Sequence, residues 1–309
     1  MNQPITGLYV PGDRPDRFAK AVATGADLVV FDLEDAVPPA HKDAARQNVV
    51  AYLSSADLSC VIQVRVNPAD APAGQADLAM LRTLPATVEL RLPKVERPSQ
   101  IDQALAQAGP RPVTALLESP AAVLAAADIA AVLAADITAS GGSGIAVSGG
   151  VGRQPVHETA PDQGVSVAAS GGISRLGLGE SDLSSAFGVR SGPLIDHARL
   201  HLAYVVRAAG LPAPMLSPYP DIADLDGLRR DTEHGRQLGW IGRLAIHPAQ
   251  LPVIAAVFAP SAAQVTWAES VLAALAQAAG GVATLATGEM VDPAMCGRAE
   301  SILRRHTTA

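Results

Sequence analysis

Aromatic side chains make up only 3% of this 309-residue chain, cysteine occurs twice, and charged residues account for 17%. With so few rings, a core must be built from Ala, Leu, Val and Ile, and the 49% hydrophobic share is enough for a sizeable one. Two cysteines, Cys60 and Cys296, cannot form a disulfide framework, which points to a reducing compartment. No stretch approaches the ~20 uncharged apolar residues of a membrane helix. Met1 to Gly7 has no apolar centre and does not read as a signal peptide. The expectation is a soluble cytoplasmic protein with no membrane association. Basic residues are outnumbered 23 to 30, for a net charge of −7. That balance argues against a nucleic-acid surface, although a local Arg or Lys would still suffice for an anionic substrate.

The length suits one large α/β domain with an appendage. Eight strand-like runs can be counted, nearly all followed by a helical pattern: Gly7 to Val10, Asp27 to Leu33, Val61 to Val66, Val88 to Leu92, a run ending at Glu118, the stretch Arg175 to Leu183 that starts as a strand with Leu176 and Leu178 alternating with Gly177 and Gly179, Pro214 to Leu216, and Leu244 to Ile246. Strands alternating with helices predict a parallel sheet. Eight such units predict a TIM (β/α)8 barrel over residues 1–258, with a C-terminal helical extension over 259–309. A doubly-wound sheet with an extension is the competing arrangement. From about 139 to 174, Gly and Ser dominate and charge nearly vanishes. This segment reads as a flexible insertion, within which Ile145 to Val147 and Val165 to Val167 could pair as a ribbon. Because it joins a helix to the following strand, it should emerge at the amino-terminal face. His157, Glu158 and Asp162 are therefore set aside as site residues.

The polar residues at strand ends are the second signal. Asp32, Glu34, Asp35, Arg65, Lys94, Glu118, Glu180 and Asp182 all fall where apolar runs stop, the rim at which parallel α/β folds bind ligands. Two strands that each deliver a carboxylate to one rim would make a divalent-metal site. Glu118 alone could be a helix-start acid near Pro120. Glu180 and Asp182 would point to the same side if their segment stays extended, so either could reach an ion. Asp35 and Glu34 could cap the chain before Pro38-Pro39. Arg65 offers a planar fork for a carboxylate or enolate oxygen, or a salt bridge to Asp32 or Glu34. Asp292-Pro293 reads as a helix cap, and His247 as a rim residue rather than a base.

The segments carrying these residues resemble the citrate lyase β-subunit-like family of CoA-ester lyases, related to the HpcH/HpaI aldolases. The matching pieces are Tyr9-Val10-Pro11-Gly12-Asp13-Arg14-Pro15, Phe31-Asp32-Leu33-Glu34-Asp35-Ala36, Val64-Arg65-Val66-Asn67, Leu92-Pro93-Lys94-Val95, Leu117-Glu118-Ser119-Pro120, Gly179 to Leu183, Ala245-Ile246-His247-Pro248-Ala249-Gln250 and Met290-Val291-Asp292. The resemblance implies a TIM barrel that binds Mg²⁺ through Glu118 and Asp182, the latter selected because the family's ligand stands immediately before the leucine. It departs at Glu180, where the family usually has a small residue.

The resemblance further implies that Arg65 works at the thioester carbonyl and substrate carboxylate, and that Arg14 and Lys94 lie near substrate. Asp32, Glu34 and Asp35 would support that site, and Asp292 would transfer a proton from a lid closing over a neighbouring subunit. The implied activity is Mg²⁺-dependent cleavage or formation of a carbon–carbon bond in a 3-hydroxyacyl-CoA such as malyl-CoA or citramalyl-CoA. The implied partners are a 2-oxo or hydroxy acid and an acyl-CoA, in a homotrimer or hexamer. A class II pyruvate aldolase and a non-catalytic acid-binding paralogue are the alternatives.

Overall fold

The computed structural model describes residues 3–55, 60–139, 173–278 and 281–306. The residues of the Gly/Ser-rich insertion, with His157, Glu158, Asp162 and the two ribbon segments, lie outside them. The described chain divides into two compact units, one over 3–254 and one beginning at Ala255.

Seven strands build the first unit: β1 (Thr6–Pro11), β2 (Leu28–Asp32), β3 (Val61–Arg65), β4 (Glu89–Leu92), β5 (Val113–Leu117), β6 (Arg175–Leu178) and β7 (Arg243–Ala245). They form one parallel sheet in the order β6-β5-β4-β3-β2-β1-β7. Between strands run α1 (Phe18–Val22), α2 (Lys42–Leu53), α3 (Pro72–Leu81), α4 (Pro98–Ala108), α5 (Pro120–Leu124), α6 (Ala126–Ala139), α7 (Glu180–Phe187), α8 (Pro193–Ala208) and α9 (Leu225–Gln237).

The side-chain period of two sorts each strand. In β2, Phe31 turns out to meet Phe18 of α1 edge-on at 4.9 Å and lies beside Tyr52 of α2. Leu28 and Val30 turn the other way and pack with Leu244, Tyr9 and Met215. On that inner side Gln63 of β3 donates to Glu89 of β4 and Thr114 of β5, both at 2.8 Å, and Arg175 of β6 reaches the same Glu89 at 3.1 Å. The interior is therefore stitched by polar bonds across four strands, where aliphatic layers are the usual filling.

The expectation of eight strands needs correction. Among the described residues the sheet has seven, and the run Pro214 to Leu216 is reduced to a single parallel bridge between Leu216 and Arg243. On its other side only a side chain reaches across, as Ser217 Oγ donates to the Leu178 carbonyl at 2.5 Å. The cause is local. Pro212, Pro214, Pro218 and Pro220 remove four backbone donors on either side of Leu216, whose own N–H still bonds the Gly242 carbonyl, so the stretch cannot sustain a longer ladder. The result is a curled parallel α/β sheet rather than a complete eight-stranded barrel.

The second unit contains α10 (Leu251–Phe258) from Ala255 onward, α11 (Ala262–Gln277), the two-residue strands β8 (Ala283–Thr284) and β9 (Met290–Val291), and α12 (Cys296–His306). Its own core joins Val265, Val271, Leu275, Val291 and Ile302. Ser261 and Gln264 form a reciprocal cap that starts α11.

Candidate active site

The parallel register decides which polar groups meet. Asp32 is the direct partner of Arg65 across β2 and β3, at the carboxyl ends of both strands. Arg65 donates from Nε to Asp32 Oδ1 at 2.8 Å and from Nη2 to Oδ2 at 2.7 Å. Its Nη1 lies 3.0 Å from Glu34 and 3.4 Å from Asp35. Tyr9 sits beneath it, with the guanidinium carbon 5.1 Å from the ring centre. Burial alone would weaken the guanidinium charge, but the Asp32 hydrogen bonds outweigh it and hold Arg65 cationic. The salt bridge to Asp32 and Glu34 is thus present, with Arg65 aimed at the sheet mouth.

The Asp32-Leu33-Glu34-Asp35 loop is pinned by two residues that sequence reasoning missed. Lys42 donates to the Leu33 and Glu34 carbonyls at 2.6 and 2.7 Å, and Asn67 donates to the Leu33 carbonyl at 2.8 Å. A lysine opening α2 is unfavourable toward the helix dipole, and that misfit was the signal to follow.

Glu118 follows β5, is 6% exposed, and accepts the backbone N–H of Lys94 at 3.0 Å. Lys94 achieves this in a left-handed backbone conformation, φ 55°, rare for a residue with a Cβ and costing about 1–2 kcal/mol. Its ammonium lies 3.4 Å from Glu34. Gly179, after β6, lets Glu118 settle here, since a Cβ at that position would stand 2.3 Å from Glu118 Cγ.

The reading of Glu180 and Asp182 as extended, same-side residues is corrected. The strand stops at Leu178 and both acids lie in the first turn of α7, where two residues are about 200° apart around the axis. Glu180 turns to Arg199 of α8, with Nε–Oε1 at 2.9 Å and Nη2–Oε2 at 2.6 Å. Asp182 is exposed, and its charge acts on both Glu118 and Lys94. The carboxylates that follow β5 and β6 therefore stand at the same end of the sheet.

Burial, then the nearby charges of Glu34 and Asp182, push the Glu118 carboxyl up to about 7. Burial likewise raises Glu34, against the pull of Arg65. Both Glu34 oxygens lie within ion-pair distance of a cation, yet neither accepts a well-directed hydrogen bond. Desolvated, mutually repelling carboxylates with orphaned oxygens are what a hard divalent cation would neutralise. Among the described residues no three acidic, His or Cys side chains converge closely enough to cage an ion unaided. Mg²⁺ uses one or two carboxylates and keeps waters or substrate oxygens, a donor set that Glu118 and a neighbouring rim carboxylate could supply.

Two predicted residues have local partners of their own. Arg14 follows β1 at the same rim, but its side chain is exposed and paired with Asp16 at 2.9 Å. Asp292 belongs to the second unit, where its Oδ1 accepts the Ala294 N–H at 2.9 Å as a cap. His247 caps a short turn, accepting from the Ala249 N–H at 3.2 Å.

Residues 5–163 match the HpcH/HpaI aldolase/citrate lyase family. The chain belongs to that family. The (3S)-malyl-CoA thioesterase of Cereibacter sphaeroides is 31% identical over 88% of this chain and 82% of its own length. The L-malyl-CoA/β-methylmalyl-CoA lyase of the same species is 29% identical over 96% and 93%. Protein CitE of Mycobacterium tuberculosis, crystallised with magnesium, acetoacetate and coenzyme A, superposes with a TM-score of 0.74 at 28% identity over 98% of each chain. The citrate lyase β-like classification follows, and the relatives so named act on CoA esters.

Proposed function

We propose that this chain is a Mg²⁺-dependent carbon–carbon lyase that cleaves, or in reverse forms, a 3-hydroxyacyl-CoA of the malyl or citramalyl kind. The observation that carries this reading is buried Glu118 packed against Gly179, the residue that opens the helix bearing Asp182, at the strand ends where Arg65 also stands. The magnesium and coenzyme A crystallised with protein CitE support it. Magnesium, when bound, would supply Lewis acidity at the oxygens of the hydroxy-acid end. Glu118 and Asp182 would hold it. Glu34, Asp35 and Lys94 would order the groups around it, with Arg14 at the outer rim.

In retro-Claisen cleavage the C3 hydroxyl gives up its proton to water, the C3–O bond becomes the carbonyl of the 2-oxo acid, and the bond between C2 and C3 breaks to leave its electron pair on C2 as a thioester enolate. Arg65 would face the enolate oxygen. Asp32 occupies the Nε hydrogen and one Nη2 hydrogen, so the second Nη2 hydrogen would serve the substrate. Charge placed in advance where charge develops is the expected main source of acceleration. Asp292 would return a proton to C2, acting within a homotrimer or hexamer.

A second reading, hydrolysis of the thioester, is favoured by the malyl-CoA thioesterase relatives. Incubation with malyl-CoA and Mg²⁺ separates the two. Glyoxylate with acetyl-CoA, abolished by EDTA and in Asp182→Asn, is the expected result. Malate with free CoA would select hydrolysis. Turnover of pyruvate with an aldehyde and no CoA ester would replace the proposal with a class II aldolase.

A further inference from the structure

Five carboxylates follow strands β2, β5 and β6 at this end of the sheet, Glu34, Asp35, Glu118, Glu180 and Asp182, and they do not all have the same partners. Glu180 adds a negative charge two positions from Asp182. Left free, it would compete for any cation held there. The structure instead gives it a dedicated partner. Arg199 grips it with two parallel bonds, Nε–Oε1 at 2.9 Å and Nη2–Oε2 at 2.6 Å, the fork geometry that fixes orientation as well as distance.

Arg199 is itself fixed from several sides. It is 4% exposed. Its carbonyl accepts the Trp240 indole N–H at 3.1 Å, and Trp240 is almost fully buried. Its Nη1 lies 3.6 Å from Asp196 and 3.5 Å from Asp231. On the opposite side of the clamp, the Glu180 backbone N–H donates to Ser217 Oγ at 3.3 Å, and Ser217 in turn donates to the Leu178 carbonyl. The first residue of α7 is thus held through backbone and side chain together. Since about 100° of rotation separates successive helical residues, fixing Glu180 fixes where Asp182 points.

We propose that the Arg199–Glu180 pair is a positioning clamp that sets the rotation of α7, aims Asp182 at Glu118 and keeps Glu180 away from the cation. The inference rests on the reading of Glu118 and Asp182 as the metal ligands. Neither Arg199 nor Glu180 touches substrate in this account; both act through Asp182.

The test is Mn²⁺ binding, followed by loss of the free-ion EPR signal and by calorimetry, with circular dichroism and thermal melts as the check on folding. Wild type should bind one Mn²⁺, and Asp182→Asn should lose it. Glu180→Ala and Arg199→Gln should retain the fold and weaken Mn²⁺ at least tenfold. Glu180→Gln, which can still accept one Arg199 hydrogen bond, should stay within threefold. Should Arg199→Gln fail to fold, Glu180→Ala carries the test alone, because Arg199 keeps Asp196 and Asp231 as neighbours. Unchanged Mn²⁺ affinity in Glu180→Ala, with or without a lower melting temperature, would reduce the pair to a structural ion pair and overturn the clamp. A wild type that binds no Mn²⁺, or an Asp182→Asn variant that binds it normally, would instead overturn the metal site itself, and the clamp with it.

Discussion

Asp32 and Arg65 are register neighbours on β2 and β3, and their side chains close a two-point pair at 2.8 and 2.7 Å beneath the mouth of the sheet. Asp32 is 1% exposed, so removing either partner strands a buried charge. Asp32→Ala should lower unfolding free energy by about 3–5 kcal/mol, read from chemical denaturation. Arg65→Lys keeps the charge but not the fork, and should lose roughly 10²–10³ in kcat with a smaller change in stability.

Gly179 is required by the close approach of Glu118. Gly179→Ala must displace the Glu118 carboxylate or the β6–α7 junction. A stability loss of about 1–3 kcal/mol should come with a 10–100-fold weaker Mg²⁺ affinity. Calorimetric titration of Mg²⁺ into the folded variant checks both.

Lys94 is held in a left-handed conformation. Lys94→Gly should therefore melt higher, by about 1 kcal/mol of relieved strain, while losing activity because the ammonium near Glu34 and Asp182 is gone. Stability and turnover moving in opposite directions is the signature to look for. A parallel fall in both would show that the strain serves folding instead.

Asp231 sets an acid limit away from the site. Burial would raise its carboxyl, but Arg243 and Arg199 outweigh that and hold it below the ordinary carboxylate range. At Arg243, 1% exposed, burial wins and the pKa falls, yet the guanidinium stays charged throughout the acid range, so the carboxylate carries the pH dependence. A lowered folded value contributes stability above the unfolded pKa of about 4, and that contribution is lost as pH falls through the folded value. Asp231→Asn should remove about 3 kcal/mol at pH 7 and flatten the decline below pH 4, as measured by urea melts across pH.

The order of strands and helices was legible because both leave a mark in the sequence: short apolar runs buried at every position for β2 and β5, and a 3.6-residue period for helices such as α8. The rim acids were legible because a charged residue ending an apolar run has few other places to go. The extent of the eighth run was not, since a ladder needs backbone donors that the prolines flanking Leu216 withhold, leaving a single bridge.

Partners distant in sequence were also illegible. Nothing local to Glu180 announces Arg199, 19 positions on, and nothing in the Lys42 segment announces the carbonyls it holds. By itself the sequence determined the chain's composition of α/β units and which chemical groups reach the rim, because periodicity and strand ends are properties of short segments. Only the tertiary structure decided that Glu180 turns to a guanidinium while Glu118 takes the backbone N–H of Lys94. That choice rests on strand register and on the rotation of one helix, and both are set by packing between segments far apart in the chain.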